Sequence, residues 1–396
     1  MSVTQETDFS FAGKVRGLVH GVAFGDAMGA PVEKLSAGDI RKRYGRVDDL
    51  NTKWHRDSQS EQMRKGRVRG AGIVTDDTLM TLALMEVYND VNRHIDAWDM
   101  ADGMVREIAW RQRWIPELQK ETALIERLFY PEKWIFQRHQ LSSCDPRQGG
   151  IGNMVNCGAA MYIAPIGVVN ACNPQDAYNE AIAFASGHQQ SYGLEAAGVV
   201  AGAVAAAFTP NISVSEIANI ALSLAKDGTH NAIYEILEVA EDLRQKGAEN
   251  DEVIDVFLKT ITPFSPMGDD LNHTVNKVGK ASPNYQPSRF LSIEELPLAL
   301  GFCLVANGEF KKAIVDGINS GRDTDSIGVM IGAILGAMHG QSIVDEADEH
   351  QLNEANRLDI AAETATFVRT AQTILTDDEK RLHAVQNQRF KLLKDL

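Results

Sequence analysis

The sequence predicts an all-α fold on three observations. Few segments alternate apolar and polar residues as a half-buried strand does, and most apolar runs are long, helix-periodic and rich in Ala, Leu, Met and Glu. No linker rich in Pro, Gly or Ser, no low-complexity tract and no repeat of solenoid length divides the chain. With 396 residues, of which 44% are hydrophobic and 23% charged, there is ample apolar material for a sizeable core.

In order along the chain, a first helix runs through Gly25 and ends near Gly29, because Pro31 disfavours helix at Ala30. Residues 45 to 72 are polar and basic and read as loop. Residues 78 to 90 place Leu79, Leu82, Met85 and Glu86 at helical spacing. The stretch from 110 to 152, with Trp110, Trp114, Trp134 and a turn-rich end, is the least helical-looking part of the middle. Those tryptophans are read as core or rim residues. An Ala-rich helix over 193–208 follows. Amphipathic helices over 214–226 and 229–247 are separated by Asp227-Gly228, and similar helices cover 250–260 and 293–305. Another begins at Ile327, and the tail from 343 to 396 alternates charge as exposed helices do. We expect one catalytic domain over 10–345, with 346–396 as a helical extension packed on it.

The net charge of −15 makes nucleic acid and anionic membranes improbable partners. A phosphate-bearing substrate would need metal ions or a local basic patch to offset that field. Cys144, Cys157, Cys172 and Cys303 form no CxxC pair and no zinc spacing, so they read as free thiols. The first residues lack the apolar core of a signal peptide. The longest apolar runs, Ala196 to Phe208 and Ile327 to Met338, fall short of the ~20 residues that span a bilayer, so a cytoplasmic location is expected. The oligomeric state is not legible.

Two glycine stripes stand out: Gly17, Gly21, Gly25 and Gly29, and Gly328, Gly332, Gly336 and Gly340. Each glycine costs a helix interior about 1 kcal/mol relative to Ala. Spacing of four puts them on one face, where another backbone can approach closely. Close helix packing explains them. Each stripe also adjoins an acidic cluster, where tight packing would hold carboxylates rigidly.

Those clusters carry the chemistry. Thr75-Asp76-Asp77-Thr78 and Asp323-Thr324-Asp325-Ser326 each lie just before a predicted helix. Capping explains one Thr or Asp at a helix start, but not a second carboxylate that gains little and repels the first. Together they offer four carboxylates with adjacent hydroxyls, the donor set of Mg2+, Mn2+ or Ca2+, and no His or Cys cluster that would suit zinc. Glu33, on the exit of the first helix, is free to point into a cleft as a proton-transferring group. Glycosidic hydrolysis needs such a carboxyl beside an activated water.

These elements resemble the ADP-ribosylglycohydrolase family, which includes the dinitrogenase reductase activating glycohydrolase and the ADP-ribosyl-arginine and ADP-ribosyl-serine hydrolases. The resemblance runs from about Val15 to Gly340. It rests on Gly25-Asp26-x-x-Gly29-x-Pro31-x-Glu33, Thr75-Asp76-Asp77-Thr78, Gly158-Ala159-Ala160-Met161-Tyr162-Ile163-Ala164-Pro165 and Asp323-Thr324-Asp325-Ser326 with the glycines that follow. It implies a single all-helical domain with two divalent cations, Mg2+ or Mn2+, in a central cleft. Thr75, Asp76 and Asp77 would hold one ion, Asp323 and Ser326 the other, and Asp325 would bridge them. Glu33, Asp76 and Asp325 would be catalytic. Asp26, Gly158, Tyr162 and His188 would contact an ADP-ribosylated acceptor or a small ribosyl glycoside. The chain departs from the family pattern at Gly187 (usually Thr), at Tyr162 (Arg in several members) and at Ser326 (often Thr). Two other readings remain open on the residues: an ADP-ribose-binding relative without catalysis, and a di-metal phosphohydrolase.

Overall fold

The computed structural model describes residues 10–154, 157–264 and 294–394. The reading of the amino-terminal residues, the start of the 293–305 helix and the end of the tail lie outside them. The described chain is almost entirely helical, as expected. In order it forms α1 (Phe11–Gly29), α2 (Ala37–Tyr44), α3 (Glu61–Arg64), α4 (Asp76–Val91), α5 (Ala97–Asp99), a hairpin of β1 (Gln112–Ile115) and β2 (Lys120–Ala123), and α6 (Tyr130–Ser142). There follow α7 (Ala164–Val169), α8 (Pro174–Ala185), α9 (Ser191–Ala207), α10 (Val214–Leu224), α11 (Asp227–Lys246) and α12 (Asn250–Ile261). The last five are α13 (Glu295–Val305), α14 (Phe310–Asn319), α15 (Thr324–His339), α16 (Glu346–Asn356) and α17 (Ile360–Leu393).

The centre is α1 packed antiparallel on α15, with α9, α13, α14 and α17 around the pair. The two glycine stripes face each other. A Cβ at Gly21 would fall on the Gly332 carbonyl, one at Gly25 on the Gly328 carbonyl, and one at Gly17 on the Gly336 and Gly340 carbonyls. The glycines therefore let backbone meet backbone along four turns, and the same contact brings the end of α1 against the start of α15. Both helices are buried on nearly every face. Residues Thr324–Ile343 form a helix long and apolar enough to cross a membrane, yet most of it is enclosed by other helices. The sequence reading had counted only its uninterrupted apolar run.

Two helices start earlier than the periodicity suggested. α4 begins at Asp76 and α15 at Thr324, so Asp76, Asp77, Asp325 and Ser326 sit in first turns rather than before them. The polar 110–152 stretch is more regular than expected. Its strands pair antiparallel from Gln112 with Ala123 to Ile115 with Lys120, and a 13-residue helix follows. Trp110 and Trp134 are exposed, and the Trp114 ring carries the Arg357 guanidinium 3.5 Å from its centroid.

Candidate active site

The site begins where α1 ends. Asp26, on the last turn of α1, is fully buried. Its Oδ2 accepts from the Thr75 N–H (2.9 Å), the Thr78 N–H (3.1 Å) and the Thr78 hydroxyl (2.5 Å). These are orphan donors of the α4 N-terminus, which Thr75 does not cap with its own side chain. Asp26 thus caps α4 from another helix. It stands behind the acidic turn and is not among the residues that line the cleft. A second brace comes from α16. Buried Asn356 accepts from the Val74 N–H (2.9 Å) and donates to the Gly72 carbonyl (2.7 Å).

So braced, the turn meets its distant counterpart. The Ser326 hydroxyl donates to Asp77 Oδ1 at 3.0 Å, across 249 residues of sequence. The Thr75 hydroxyl, itself buried, donates to Asp77 Oδ2 at 3.2 Å. The Thr324 hydroxyl donates to the Gly29 carbonyl at 2.8 Å and fixes the start of α15 on the end of α1. Carboxylate oxygens of Glu33, Asp323 and Asp325 lie within 4.8 Å of one another. The Glu33 turn is joined to the Asp323 turn through backbone: Lys34 N–H donates to the Arg322 carbonyl and Arg322 N–H to the Leu35 carbonyl, both at 2.8 Å. Gly321 permits this approach, at φ +79°, since a Cβ there would collide with the Leu35 carbonyl and the Ala37 amide.

Glu33, Asp76, Asp77, Asp323, Asp325 and Ser326 line one open cleft of about 900 Å³. A further wall is cationic and comes from the 45–72 stretch, read as loop, and from the 110–152 stretch, read as the least helical-looking. Arg69 pairs with Glu33 and with Glu117 (2.7 Å), and Arg127 pairs with Glu117 and with Asp76. Glu117, in the hairpin turn, is fully buried between the two guanidiniums. The Val68 N–H donates to its carbonyl at 2.7 Å and ties the hairpin to the polar loop. Lys34 lies 3.1 Å from Glu33.

Burial alone would raise the Glu33 carboxyl, but Lys34 and Arg69 outweigh it and hold the group well below the usual range. Glu117 is likewise brought down to about 2, burial being overcome by Arg127 and Arg69. The carboxyls of the two acidic turns behave oppositely. Burial, then Glu295 and Glu33, pushes Asp323 to about 7. Burial, then Glu33 and Asp323, holds Asp325 well above its ordinary value; burial, then Asp325 and Asp26, does the same for Asp77. Like charges crowded in a buried cluster are what a divalent cation offsets, and their donors are all oxygen, so the residues fit a hard cation.

Other expected contacts are not in the cleft. Tyr162 and His188 are fully buried and share a 2.7 Å hydrogen bond, with their rings stacked at 5.6 Å. Burial, then His139, lowers His188 to about 3, so it is neutral. The cause is α6: Phe136 packs 5.5 Å from the His188 ring, and His139 donates to the Gly187 carbonyl at 2.6 Å. Gly158 is also buried and off the cleft surface. The structure thus places these three residues in the interior beside the cleft rather than on its surface. Conversely, Cys157 and Glu295 belong to the cleft, and sequence reasoning missed them. Their ligand atoms lie within 4.8 Å of each other and of an Asp323 oxygen. Burial, then Asp323, keeps the Cys157 thiol protonated.

A sequence profile described as ADP-ribosylglycohydrolase matches residues 8–377. The chain belongs to the ADP-ribosylglycohydrolase family. It is 24% identical to the uncharacterized protein YegU of Escherichia coli (strain K12) over 347 residues, which is 87% of this chain and 93% of that one. It is 26% identical over 332 residues to an uncharacterized protein of Archaeoglobus fulgidus, covering 82% and 87%. Among solved structures, an ADP-ribosylglycohydrolase-related protein complex superposes with a TM-score of 0.55 at 20% identity, over 91% of this chain and 99% of that one. That likeness establishes the ADP-ribosylglycohydrolase fold, an all-α single domain.

Proposed function

We propose that this chain is a Mg2+- or Mn2+-dependent glycohydrolase that breaks the C1 glycosidic bond of an ADP-ribosyl conjugate, or of a related ribosyl group, with an oriented water. The observation that carries the reading is the Asp77–Ser326 hydrogen bond, which closes two acidic turns from opposite ends of the chain onto one cleft beside Glu33. Thr75, Asp76 and Asp77 would hold one cation and Asp323 and Ser326 a second, with Asp325 between them. When bound, the cations supply the positive charge that orients ribose hydroxyls and water.

The protein groups do the rest. Glu33, kept anionic but weakly basic by Lys34 and Arg69, is suited to orient the attacking water by accepting its hydrogen bond, and would take its proton only if those cations turned to the substrate. Asp26 holds the turn bearing Asp76 and Asp77. Lys34, Arg67 and Arg127 give the cleft a basic wall in a chain of net charge −15, which suits a substrate bearing phosphates. We take residues 10–345 as the catalytic unit; the Asn356 bonds to the Gly72–Val74 loop support an extension packed on it.

The test is a product screen by mass spectrometry with Mg2+ or Mn2+, over ADP-ribosylated arginine, serine, DNA base and small nucleosides. A released ribosyl product that disappears in Asp76→Ala and in Asp325→Ala is expected. Full turnover in both variants contradicts the site. Free phosphate instead assigns a phosphohydrolase, and ADP-ribose binding without product assigns a binding protein.

A further inference from the structure

We propose that the outer half of α17 is a self-association surface, and that two copies of the chain pair through it as an antiparallel two-helix coil. The first half of α17 packs on the body through one stripe, in which Phe367, Ala371 and Ile374 are buried. The same stripe continues past the body. From residue 381 to 394 every residue is exposed, with Leu382 at 50%, Val385 at 38% and Leu392 at 74%. An isolated helix of this length is marginal in water, so packing of its apolar face is what sustains it.

The stripe has a heptad pattern. Leu375, Asp378, Leu382, Val385, Arg389 and Leu392 are separated by three, four, three, four and three residues. The two polar positions choose the partner and its direction. Two parallel copies would set Asp378 on Asp378 and Arg389 on Arg389. Antiparallel copies, aligned so that Leu382 meets Val385 of the second copy, set Asp378 against Arg389 twice and Leu375 against Leu392 twice. Every apolar position then meets an apolar one, and every charge its opposite. A second copy of this same helix is thus the complementary partner. The overlap from 375 to 392 spans about 26 Å. The positions nearest the body remain reachable: Leu375 is half-buried, and the Asp378 side chain, bonded to His94 at 2.7 Å, keeps 35% of its surface.

The test uses the full chain. Sedimentation equilibrium is expected to give twice the monomer mass at high concentration, falling to monomer on dilution. Leu382→Asp with Val385→Asp should be monomeric throughout, with the melting temperature of the body unchanged and a loss of helical circular dichroism no larger than the outer part of α17 accounts for. Direction is read by thiol cross-linking in a Cys144→Ser, Cys172→Ser background. A mixture of Leu375→Cys and Leu392→Cys should give a cross-linked dimer that neither gives alone. A monomer at every concentration overturns the proposal, as does a dimer that survives the double Asp variant. Self-cross-linking by each single variant overturns the antiparallel register. A monomer that sediments with anionic vesicles assigns the stripe to a lipid surface and overturns it as well.

Discussion

Gly25→Ala tests whether the α1–α15 contact positions the acidic turns. The new Cβ would fall on the Gly328 carbonyl and lie 3.0 Å from the Val329 amide, whereas ordinary contact begins at 3.4 Å. The obstacle is backbone on a packed helix, so the helices must part by on the order of 1 Å. Overpacking of this kind costs roughly 1–3 kcal/mol, and the better helix propensity of Ala returns about 1 kcal/mol. A net loss of up to about 2 kcal/mol is therefore expected. The functional loss should be larger, because a 1 Å displacement beside Asp26 moves the α4 turn away from the α15 turn, and misplacement of that size costs on the order of 100-fold. Gly38→Ala is the control: its Cβ meets only the Ser36 hydroxyl at 3.9 Å, and it should be neutral or stabilising by at most about 1 kcal/mol. Thermal unfolding and calorimetric titration with Mn2+ measure both variants. Unchanged stability and unchanged cation affinity in Gly25→Ala would refute the reasoning.

Asp26→Ala strands two amide donors and a hydroxyl of the α4 start, and should weaken Mn2+ binding about 10- to 100-fold; Asp26→Asn, which keeps an acceptor, should be milder, and equal losses in a titration would discount the cap. Glu117→Leu leaves Arg69 and Arg127 buried with one carboxylate fewer, and should cost about 3–5 kcal/mol in urea unfolding. A loss below about 1 kcal/mol would mean that water reaches both guanidiniums. His94, hydrogen-bonded to Glu180 and Asp378, is raised from 6.5 to about 9 against the pull of burial. Because its folded value lies above its unfolded one, its contribution is full below pH 6.5 and is lost as pH rises through about 9. Melting temperatures of wild type and His94→Gln should therefore differ most at low pH and converge at high pH; a constant gap would count against the pairing.

The helices were legible because an Ala-rich apolar run, as in Ser191–Ala207, or apolar residues at helical spacing, as in Asn250–Ile261, leave little alternative over ten or more residues. The acidic turns were legible as composition, but not their first-turn placement, since Thr and Asp both precede and begin helices. That Gly21 meets Gly332 could not be read from spacing, which gives a face and not its partner. Arg69, Glu117 and Arg127 escaped because no motif or spacing sets them apart from the charges around them; only the hairpin brings them together. The burial of Tyr162 and His188 was not legible, because the family pattern fixes their position in the chain and not their surroundings, and α6, which packs Phe136 on His188, lies in the least helical-looking stretch.

The backbone bridge between Lys34 and Arg322 divides the cleft into a side that is fixed and a side that can adapt. Glu33 and Asp323 are carried on one welded piece, so the distance between their carboxylates cannot be retuned without remaking both turns. The hairpin wall has no such weld to the acidic turns: guanidinium–carboxylate pairs reach them, the Arg67 side chain and the Val68 N–H donate to its carbonyls, and Ile115, Leu124 and Leu128 anchor it in the core. Its exposed positions can therefore be rewritten while the spacing of Glu33 and Asp323 is inherited unaltered.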